Sequence, residues 1–436
     1  MNMNMKMEQG FSTLLITVVI SLIMALYVFS LLSVELFNSK KTQNIIISQE
    51  LKSMSASGLQ CAVDIILRSG QKPTSIDYKL CVDAVITAIQ IPATSTYKVT
   101  STATDDDAES TMSQLFTSSS MNGPQATISS SGTIKFIGSY DVFPFEGAKE
   151  GNGYNCSAIR SGKKVITEGG IIVKYPIDDD WKQKKEADGT LVKCNSSHQT
   201  VGSIYKKDIV ENIADMDLFK ENFAVDRDNW QEAKNLFDEI ILGTEEVANL
   251  PDGKGGSKPV VVSVAKNCAS KINEIIERNR AEQKKADEHQ GYEAQLTRYV
   301  WVEGACDLSG VGSGRVEPNE IALTLVVKDG LLTVKGNISF HGNLYLFDYE
   351  MTDEQLLAFW ELNSLKSEAS PWGDLSKKPF FFNGAFESQG AFTFDSPNRI
   401  CTIRGAFTPG YSKGKVDYEE SRFGKTVMLE GSWHDF

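Results

Sequence analysis

The stretch MEQGFSTLLITVVISLIMALYVFSLL, residues 7–32, decides the first element of the fold. From Phe11 to Val34 every residue is apolar or carries a hydroxyl, and none is charged. A helix of about 20 apolar residues crosses a hydrocarbon core of roughly 30 Å, whereas a buried core helix would show a polar stripe. The following SVELFNSKK has large residues where a cleaved secretory signal needs small ones. The sequence therefore predicts a transmembrane helix over residues 11–34.

The residues after this run continue the helix. The stretch from Asn38 to Gly70 contains no proline and, before its end, only Gly58 as a glycine. Gly70 and Pro73 then supply stop signals. The second half has an amphipathic stripe of apolar residues spaced three to five apart, namely Ile46, Leu51, Met54, Leu59, Ala62 and Ile66. We expect one helix from about Phe11 to Arg68, within a segment 11–70, whose second half needs a packing partner.

This start resembles a known family. A short leader ending in Gly, then Phe, then an apolar half-helix that continues as an amphipathic one, is similar to the type IV pilins and pseudopilins. SASGLQCAVDIILR looks like the end of that helix in the large PilX-like minor pilins. YVWVEGACDLSG (299–310), LTVKGNISFHGNLYLFDYE (332–350) and the terminal GSWHDF also resemble that group. The resemblance covers the first 70 or so residues and patches of the last third.

The resemblance implies processing and assembly. In this family a prepilin peptidase removes the leader, here residues 1–10, by cutting after Gly10, and methylates the new terminus, here Phe11. The half-helices then bundle in the filament core. The implied partners are the peptidase, other pilins and minor pilins, and a tip adhesin. The implied location is the inner membrane, crossed once, before assembly and the extracellular pilus afterwards.

One position departs from the family pattern. Most pilins carry Glu as the fifth residue after the cut, and Leu15 stands there. A carboxylate inside a bilayer costs about 2.5–3.5 kcal/mol, which the family offsets by pairing it with the terminal amine of the subunit ahead. A subunit at the filament tip has no subunit ahead, so Leu15 predicts a tip position. The alternative is that Leu15 is an ordinary lipid-facing residue of a plain membrane anchor.

Cysteine usage indicates an oxidising compartment. None of the seven cysteines forms a C-x-x-C, and no histidine lies near enough to complete a zinc set. Widely spaced cysteines in an exported chain are typical of structural disulfides. Neighbours in sequence suggest the pairs Cys61–Cys81, Cys156–Cys194 and Cys268–Cys306, with Cys401 left over. The alternative is a set of buried free thiols in a cytoplasmic chain.

The sequence shows no convincing catalytic or nucleic-acid site. The net charge of −13 argues against a nucleic-acid partner. The four histidines are far apart, and FGKT (423–426), SGVGSG (309–314) and DRDNWQ (226–231) each lack a residue or neighbouring element that their motifs need. We therefore expect no enzymatic activity, no metal and no cofactor, apart from loosely bound calcium at the acidic runs 105–107 and 178–180.

The middle of the chain divides into two zones. Residues 71–207 mix strand patterns with loops, and the Ser/Thr-rich part, 95–131, predicts loops and short edge strands. Residues 208–298 are expected to form a helical insertion. Its two helices would present one face with Trp230, Ala233, Phe237, Ile240 and Ile241 and another with Ile272, Ile275 and Ile276. NLPDGKGGSKP between them predicts a turn or linker.

The last zone, 299–436, is rich in strands punctuated by glycine. Gly330, Gly336 and Gly342 are six apart, and Gly384 and Gly390 repeat that spacing. This short period favours a stack of short strands or a small β-helix, although an antiparallel meander with glycine turns fits nearly as well. MTDEQLLAFWELN interrupts the zone as a helix, with a capping box from its Thr to its first Gln.

Together these observations predict an α+β protein. A long N-terminal transmembrane and amphipathic helix precedes a β-rich body with a helical insertion, and the body is expected to form a short-strand stack or a β-helix-like fold. The predicted function is that of a minor pilin-like structural subunit at the tip of a type IV pilus, helping to start assembly and presenting an extracellular body. Two alternatives remain: a pseudopilin of a type II secretion system, and a membrane-anchored extracellular enzyme or sensor.

Overall fold

The computed structural model describes residues 5–69, 73–81, 84–91, 96–105, 108–118, 123–178, 180–289, 291–311, 322–412, 426–428 and 434–435. The α-helices in this part of the chain are α1 (Met5–Ser69), α2 (Leu218–Phe223), α3 (Trp230–Lys234), α4 (Cys268–Glu288), α5 (Asp353–Leu362) and α6 (Lys366–Ala369). Short 3-10 helices cover Pro73–Ser75, Ser196–His198, Arg227–Asn229, Ser370–Trp372 and Leu375–Lys377.

The strands of the described residues are numbered in chain order. They are β1 (Val85–Gln90), β2 (Thr96–Asp105), β3 (Ala108–Ser118), β4 (Ile128–Ser130), β5 (Thr133–Ile137), β6 (Tyr140–Val142), β7 (Lys149–Glu150), β8 (Gly153–Tyr154), β9 (Ile159–Ser161), β10 (Val165–Thr167), β11 (Ile171–Val173), β12 (Val201–Gly202), β13 (Ile209–Val210), β14 (Glu239–Leu242), β15 (Thr244–Pro251), β16 (Ser257–Val264), β17 (Tyr299–Glu303), β18 (Cys306–Asp307), β19 (Leu323–Lys328), β20 (Leu332–Phe347), β21 (Phe380–Gln389), β22 (Phe392–Asp395), β23 (Ile400–Gly410), β24 (Thr426–Met428) and β25 (His434–Asp435).

The chain forms two compact units. Unit 1 comprises Met1–Ser119 and Lys425–Phe436, and unit 2 comprises Ser120–Gly424. Unit 2 is therefore inserted in sequence between β3 and β24, which pair with each other in unit 1. The zones 71–207 and 299–436, drawn from sequence pattern, each contribute residues to both units.

Unit 1 is built on helix α1, which is unbroken as predicted. Its second half packs against an antiparallel sheet in the order β1-β2-β3-β24, and Leu59, Ala62 and Ile66 are completely buried. Burying a large aliphatic side chain contributes about 1.5–3 kcal/mol. A Cβ on Gly58 would lie 2.7 Å from the Cβ of Ala84, so glycine there permits the close approach of helix and sheet.

The Ser/Thr-rich stretch 95–131 corrects one prediction. Strands β2 and β3 pair along their whole length, from Thr96 with Thr117 to Asp105 with Ala108, instead of forming loops and short edge strands. Intermediate and buried residues alternate along β2 up to Ala103. Threonine is β-branched and fits a half-buried pleated surface, so composition alone was misleading here.

Unit 2 is a solenoid of parallel strands. One stack has the order β14-β17-β19-β20-β22-β4-β9-β13, and a second has the order β18-β20-β21-β23-β5-β10. The long strand β20 belongs to both, because it turns a corner between them. A third, shorter stack pairs β6 with β11 in parallel and β11 with β12 in antiparallel orientation. This confirms the β-helix-like prediction, and the antiparallel meander is wrong for this body.

The stacking order of the coils differs from their order in the chain. The coil β4–β5–β6 is followed by β9–β10–β11 and then β13, towards one end of the solenoid. The chain then crosses to the opposite end at β14 and returns coil by coil to β22 and β23. There Thr393 pairs with Ser129 and Ile403 pairs with Phe136. The last coil thus stacks on the first one.

Glycines form ladders at the corners, as the repeat predicted. Gly336, Gly384 and Gly405 are register partners in three successive coils. A Cβ on Gly384 would lie 2.2 Å from the Gly336 carbonyl oxygen, and a Cβ on Gly390 would lie 1.7 Å from that of Gly342. Neither distance can accommodate a side chain. The regularly spaced glycines therefore mark places where the backbones of neighbouring coils are in contact.

Helix α4 closes the β14 end of the solenoid. Its residues Ile272 and Ile275 are buried in the same core as Ile241 of β14. The Asn279 side chain donates to the Thr297 carbonyl oxygen at 2.7 Å and accepts from the Thr297 amide at 2.9 Å. The helix predicted around Ile272 is therefore present, and it covers apolar side chains that the last strand would leave open to water.

The rest of the helical insertion predicted for residues 208–298 is only partly present. Trp230 and Ala233 lie in α3, which ends at Lys234, but Ile240 and Ile241 belong to strand β14. Ile241 pairs with Val302 in parallel and faces the solenoid core. The glycine-rich stretch predicted as a turn or linker is the turn of the β15–β16 hairpin. Pairing with β17 made residues 239–242 a strand, because a short apolar run fits either a helix or a strand. Strands β15 and β16 pair with each other instead.

Helix α5 follows its prediction closely. The Thr352 hydroxyl accepts from the Gln355 amide at 3.1 Å, and the Gln355 side chain accepts from the Thr352 amide at 2.9 Å. This is the capping box expected from sequence. Its Trp360 is fully buried and donates from Nε1 to the Lys378 carbonyl oxygen at 2.9 Å, which holds the helix on the outer face of unit 2.

Candidate functional site

The exposed half of helix α1 is the strongest candidate for a functional surface. Among the described residues, α1 is the one helix that is long and apolar enough to cross a membrane. Within Leu14–Leu67, its most apolar stretch has a mean hydropathy of 2.7. None of the residues in this apolar stretch is buried in the structure. The hydroxyls of Thr17 and Ser33 donate to the carbonyl oxygens of Leu14 and Ser30, at 2.9 and 2.7 Å. These polar groups are therefore satisfied inside the helix, as an apolar environment requires.

The predicted processing and assembly residues lie at the start of this helix. Gly10 and Phe11 are within the helical backbone of α1, and the side chain of Phe11 lies outside the part that the structure describes. Leu15 is 55% exposed and projects from the helix with other large aliphatic side chains. The structure brings these three residues together on one continuous helix, and it leaves the side chain of Leu15 open to lipid or to another helix.

The amphipathic half of α1 differs from its predicted stripe at two positions. Leu51, Leu59, Ala62 and Ile66 are buried against the sheet, but Ile46 is 56% exposed and Met54 is at the surface. The sheet therefore begins to cover the helix at Leu51. Before that point Leu36, Phe37, Ile45 and Ile46 form an exposed apolar continuation of the membrane run.

Three disulfides cross-link the described residues. They are Cys61–Cys81, Cys156–Cys194 and Cys268–Cys306, the pairs that sequence neighbours suggested. The first joins α1 to the segment before β1, and the third joins the start of α4 to β18. The two bridges of sequence separation 38 each contribute about 4 kcal/mol by the chain-entropy relation. Cys401 is free and buried, and burial raises the pKa of its thiol well above the usual range.

The candidate calcium loops are only partly described. Asp178 accepts hydrogen bonds from the amides of Asp180 and Lys182, at 3.0 and 2.9 Å, and Asp180 pairs with the Lys182 ammonium at 3.1 Å. Residues 106, 107 and 179 lie outside the described part of the chain. In the part that is described, no three His, Cys, Asp or Glu side chains are grouped as a metal site would require.

Unit 2 contains a buried charged cluster that no pattern in the sequence indicated. Arg399 is 7% exposed and donates from Nε to Asp348 at 2.8 Å and from Nη1 to Asp353 at 2.5 Å. It also donates to the carbonyl oxygens of Ser376, at 2.8 Å, and Met351. Burial raises the pKa of Asp348, and the bond from Arg399 opposes that shift. The guanidinium thus clamps the loops on both sides of α5.

A second buried carboxylate lies at the seam between the first and last coils. Asp395 is 1% exposed and accepts from Arg227, from the Ser131 hydroxyl at 3.1 Å and from the Tyr345 hydroxyl at 3.1 Å. Burial raises its pKa, and Arg227 acts in the opposite direction. These groups satisfy one another inside the protein and link the first coil to the last. No local sequence motif links residues so far apart, and no signal in the sequence indicated the cluster.

No family model matches the chain, and no curated protein or solved structure is significantly similar to it.

Proposed function

We propose that this protein is a minor pilin-like structural subunit that acts at the tip of a type IV pilus. The observation that carries the proposal is the Gly10–Phe11 step at the start of helix α1, which is exposed and apolar first and packed against a sheet later. A plain membrane anchor does not need the packed second half. In this proposal the chain has no catalytic role and no cofactor, and its helix bundles with the helices of other subunits.

The exposed apolar surface of α1 supports a change of environment during assembly. Leu36, Phe37, Ile45 and Ile46 lie beyond the uncharged run and remain exposed. A single-pass helix in a membrane would leave such residues at or beyond the interface, where water contacts them. Packing against neighbouring helices would remove them from water at about 25 cal/mol per Å² of apolar surface, which favours the filament over the isolated subunit.

Processing of the leader is the direct test of this proposal. Replacing Gly10 by leucine should leave the precursor uncut in membranes that contain prepilin peptidase, because the bulky side chain obstructs the cleavage site. The unaltered chain should yield a mature terminus at N-methylated Phe11, measured by mass spectrometry of the N-terminal peptide. Asn4→Leu, also in the leader, should be cleaved normally. An intact Met1 terminus in the unaltered protein, with active peptidase present, would exclude the proposal.

The tip position is tested at Leu15. Deleting the protein should lower the number of filaments more than it alters their diameter or pitch. Cells with the Leu15→Glu variant should form no more filaments than cells with the unaltered protein, because a carboxylate at a tip meets no terminal amine of a subunit ahead. Leu15→Ala serves as the control for side-chain size. Immunogold labelling should place the body of the protein at filament ends, and label spread evenly along the shafts would contradict the tip position.

A further inference from the structure

The β13 end of the solenoid carries a surface that the filament proposal does not use. Segment 201–212 crosses this end and touches all three stacks. Gly202 pairs with Ile171 in the third stack, and Ile209 pairs with Ile159 in the first. Between them the Tyr205 hydroxyl donates to the carbonyl oxygen of Val165, in the second stack, at 3.2 Å. The segment therefore lies over the end of one coil, and its neighbours in space are the residues around β10.

Aliphatic side chains on this end project into water. Ile204 is 81% exposed, Val201 is 66% exposed, and Val210 and Ile166 are 41% and 40% exposed. An isolated exposed aliphatic residue is ordinary on a protein surface, whereas several on one small surface mark an interaction site. We refer to the set Lys163, Lys164, Ile166, Val201, Ile204, Lys206, Lys207 and Val210 as the basic end.

The charged side chains of the basic end are all lysines. Its four lysines are exposed, and among the described residues Lys163, Lys164 and Lys207 form no ion pair. Of the nearby carboxylates, Glu168 is half-exposed and pairs with the Lys135 ammonium at 2.7 Å. Asp208 is buried and accepts from the amide and hydroxyl of Thr200, at 2.8 and 2.7 Å.

Glu211 is also engaged with the backbone. Its carboxylate accepts from the Val165 amide at 2.6 Å, which caps the open edge of β10 together with the Tyr205 hydroxyl. Strand addition at Val165 is therefore blocked, because both of its outward backbone groups already have partners. What the basic end presents to an approaching partner is a set of aliphatic side chains surrounded by ammonium groups.

We propose that the basic end binds the surface of an anionic phospholipid bilayer. Aliphatic residues entering the headgroup region together with lysines paired to lipid phosphates are the two components of interfacial membrane binding. Protein interfaces are depleted in lysine and enriched in aromatic residues and arginine, and the basic end has four lysines, no arginine and no exposed large aromatic residue. A nucleic acid or acidic polysaccharide would match the charge but not the exposed aliphatic side chains.

The net charge of the chain makes the orientation specific. At −13 the protein as a whole is repelled by an anionic surface. Attraction is therefore confined to a locally positive surface and acts within about one Debye length, roughly 8 Å at physiological salt. Binding through the basic end should weaken as salt is raised.

The test uses the full chain with its N-terminal helix already occupied. The protein is held by α1 in a phosphatidylcholine nanodisc, and its binding to large vesicles is measured by co-flotation. Vesicles with about 30% phosphatidylglycerol should capture it, and pure phosphatidylcholine vesicles should not. The double variant Lys163→Gln, Lys207→Gln should weaken capture by roughly 30-fold, and Val201→Ser, Ile204→Ser should also weaken it.

Matched controls lie elsewhere in unit 2. The exposed pair Lys254→Gln, Lys271→Gln removes the same charge, and Val247→Ser, Val261→Ser removes side chains that are 56% and 51% exposed; both should bind like the unaltered protein. Equal capture by both kinds of vesicle, or equal losses in the controls, would overturn the proposal. Capture that heparin abolishes and that is insensitive to Val201→Ser, Ile204→Ser would also overturn it, in favour of a polyanion site.

Discussion

Gly390→Ala should destabilise unit 2 by about 3 kcal/mol or more, although it adds only one methyl group. The new Cβ would lie 1.7 Å from the carbonyl oxygen of Gly342 in the next coil. Backbone atoms of two coils cannot move apart without breaking the parallel ladder of β20 with β21 and β22. Overpacking of a well-packed core typically costs 1–3 kcal/mol, and this contact is closer than an ordinary core clash.

The measurement is a urea unfolding midpoint or a thermal melt followed by tryptophan fluorescence. With an unfolding entropy of about 2.1 cal/mol/K per residue, a loss of about 3 kcal/mol lowers Tm by roughly 5 °C for a unit of about 300 residues. Gly170→Ala is the matched control in the same unit, because its Cβ would lie 3.4 Å from the Gly202 Cα, in ordinary contact. That control should change stability by less than about 1 kcal/mol, with a gain possible from reduced freedom of the unfolded chain. An unchanged midpoint in Gly390→Ala would show that the corner ladder is not close-packed.

Arg399→Met should cost about 3–5 kcal/mol at pH 7, which is the usual cost of leaving a buried charge unpaired. Methionine fills much of the space of the arginine stem but supplies none of its donors. Asp348, 7% exposed, would lose its bond of 2.8 Å from Nε, and the carbonyl oxygens of Ser376 and Met351 would lose theirs. Asp353 is half-exposed and keeps its partner Lys377, so most of the loss falls on Asp348.

The pH dependence of the variant identifies the cause. Burial already raises the pKa of Asp348, and Arg399 opposes that shift; without Arg399 the pKa of this carboxyl should rise further. Between its unfolded pKa, about 3.9, and the raised folded value, the folded state holds a proton that the unfolded state releases. Stability in this window therefore falls as pH rises, and the deficit of Arg399→Met should be smaller at pH 5 than at pH 7.

Arg280→Met provides the control for charge removal at the surface. Arg280 lies on the exposed side of α4 and pairs with Glu277 one helical turn away. Such exposed pairs contribute about 0.5 kcal/mol or less, so this variant should unfold almost like the unaltered protein at either pH. An equal deficit of Arg399→Met at pH 5 and pH 7 would mean that lost packing, and not an unpaired carboxylate, causes the destabilisation.

Features that depend on neighbouring residues could be predicted from the sequence. The uncharged run of α1, the capping box of α5 and the buried face of α4 each follow from side chains within a few turns of one helix. The three cysteine pairs join the nearest cysteines in sequence. The candidate site at Gly10, Phe11 and Leu15 was likewise defined by a short stretch, and the structure adds that the apolar half of the helix is exposed along its length.

Features that depend on distant residues could not be predicted in the same way. Ile240 and Ile241 form a strand because β17 offers them a parallel partner, and an apolar run of that length is compatible with helix as well. Ile46 is exposed because the sheet of unit 1 does not reach it, although it lies on the same stripe as Leu51. In both cases tertiary packing, and not the local pattern, decided the outcome.

The sequence by itself determined the long helix, the corner positions of the glycines and the residues at which processing is proposed, because local propensity and steric rules act over a few residues. Only the tertiary structure decided that the last coil stacks on the first, that Arg399 meets Asp348, and that Asp395 is buried at the seam. The physical reason is that every strand edge in a parallel stack can pair with many others. The choice among them is made by the fit of whole coils, which no short stretch of sequence contains.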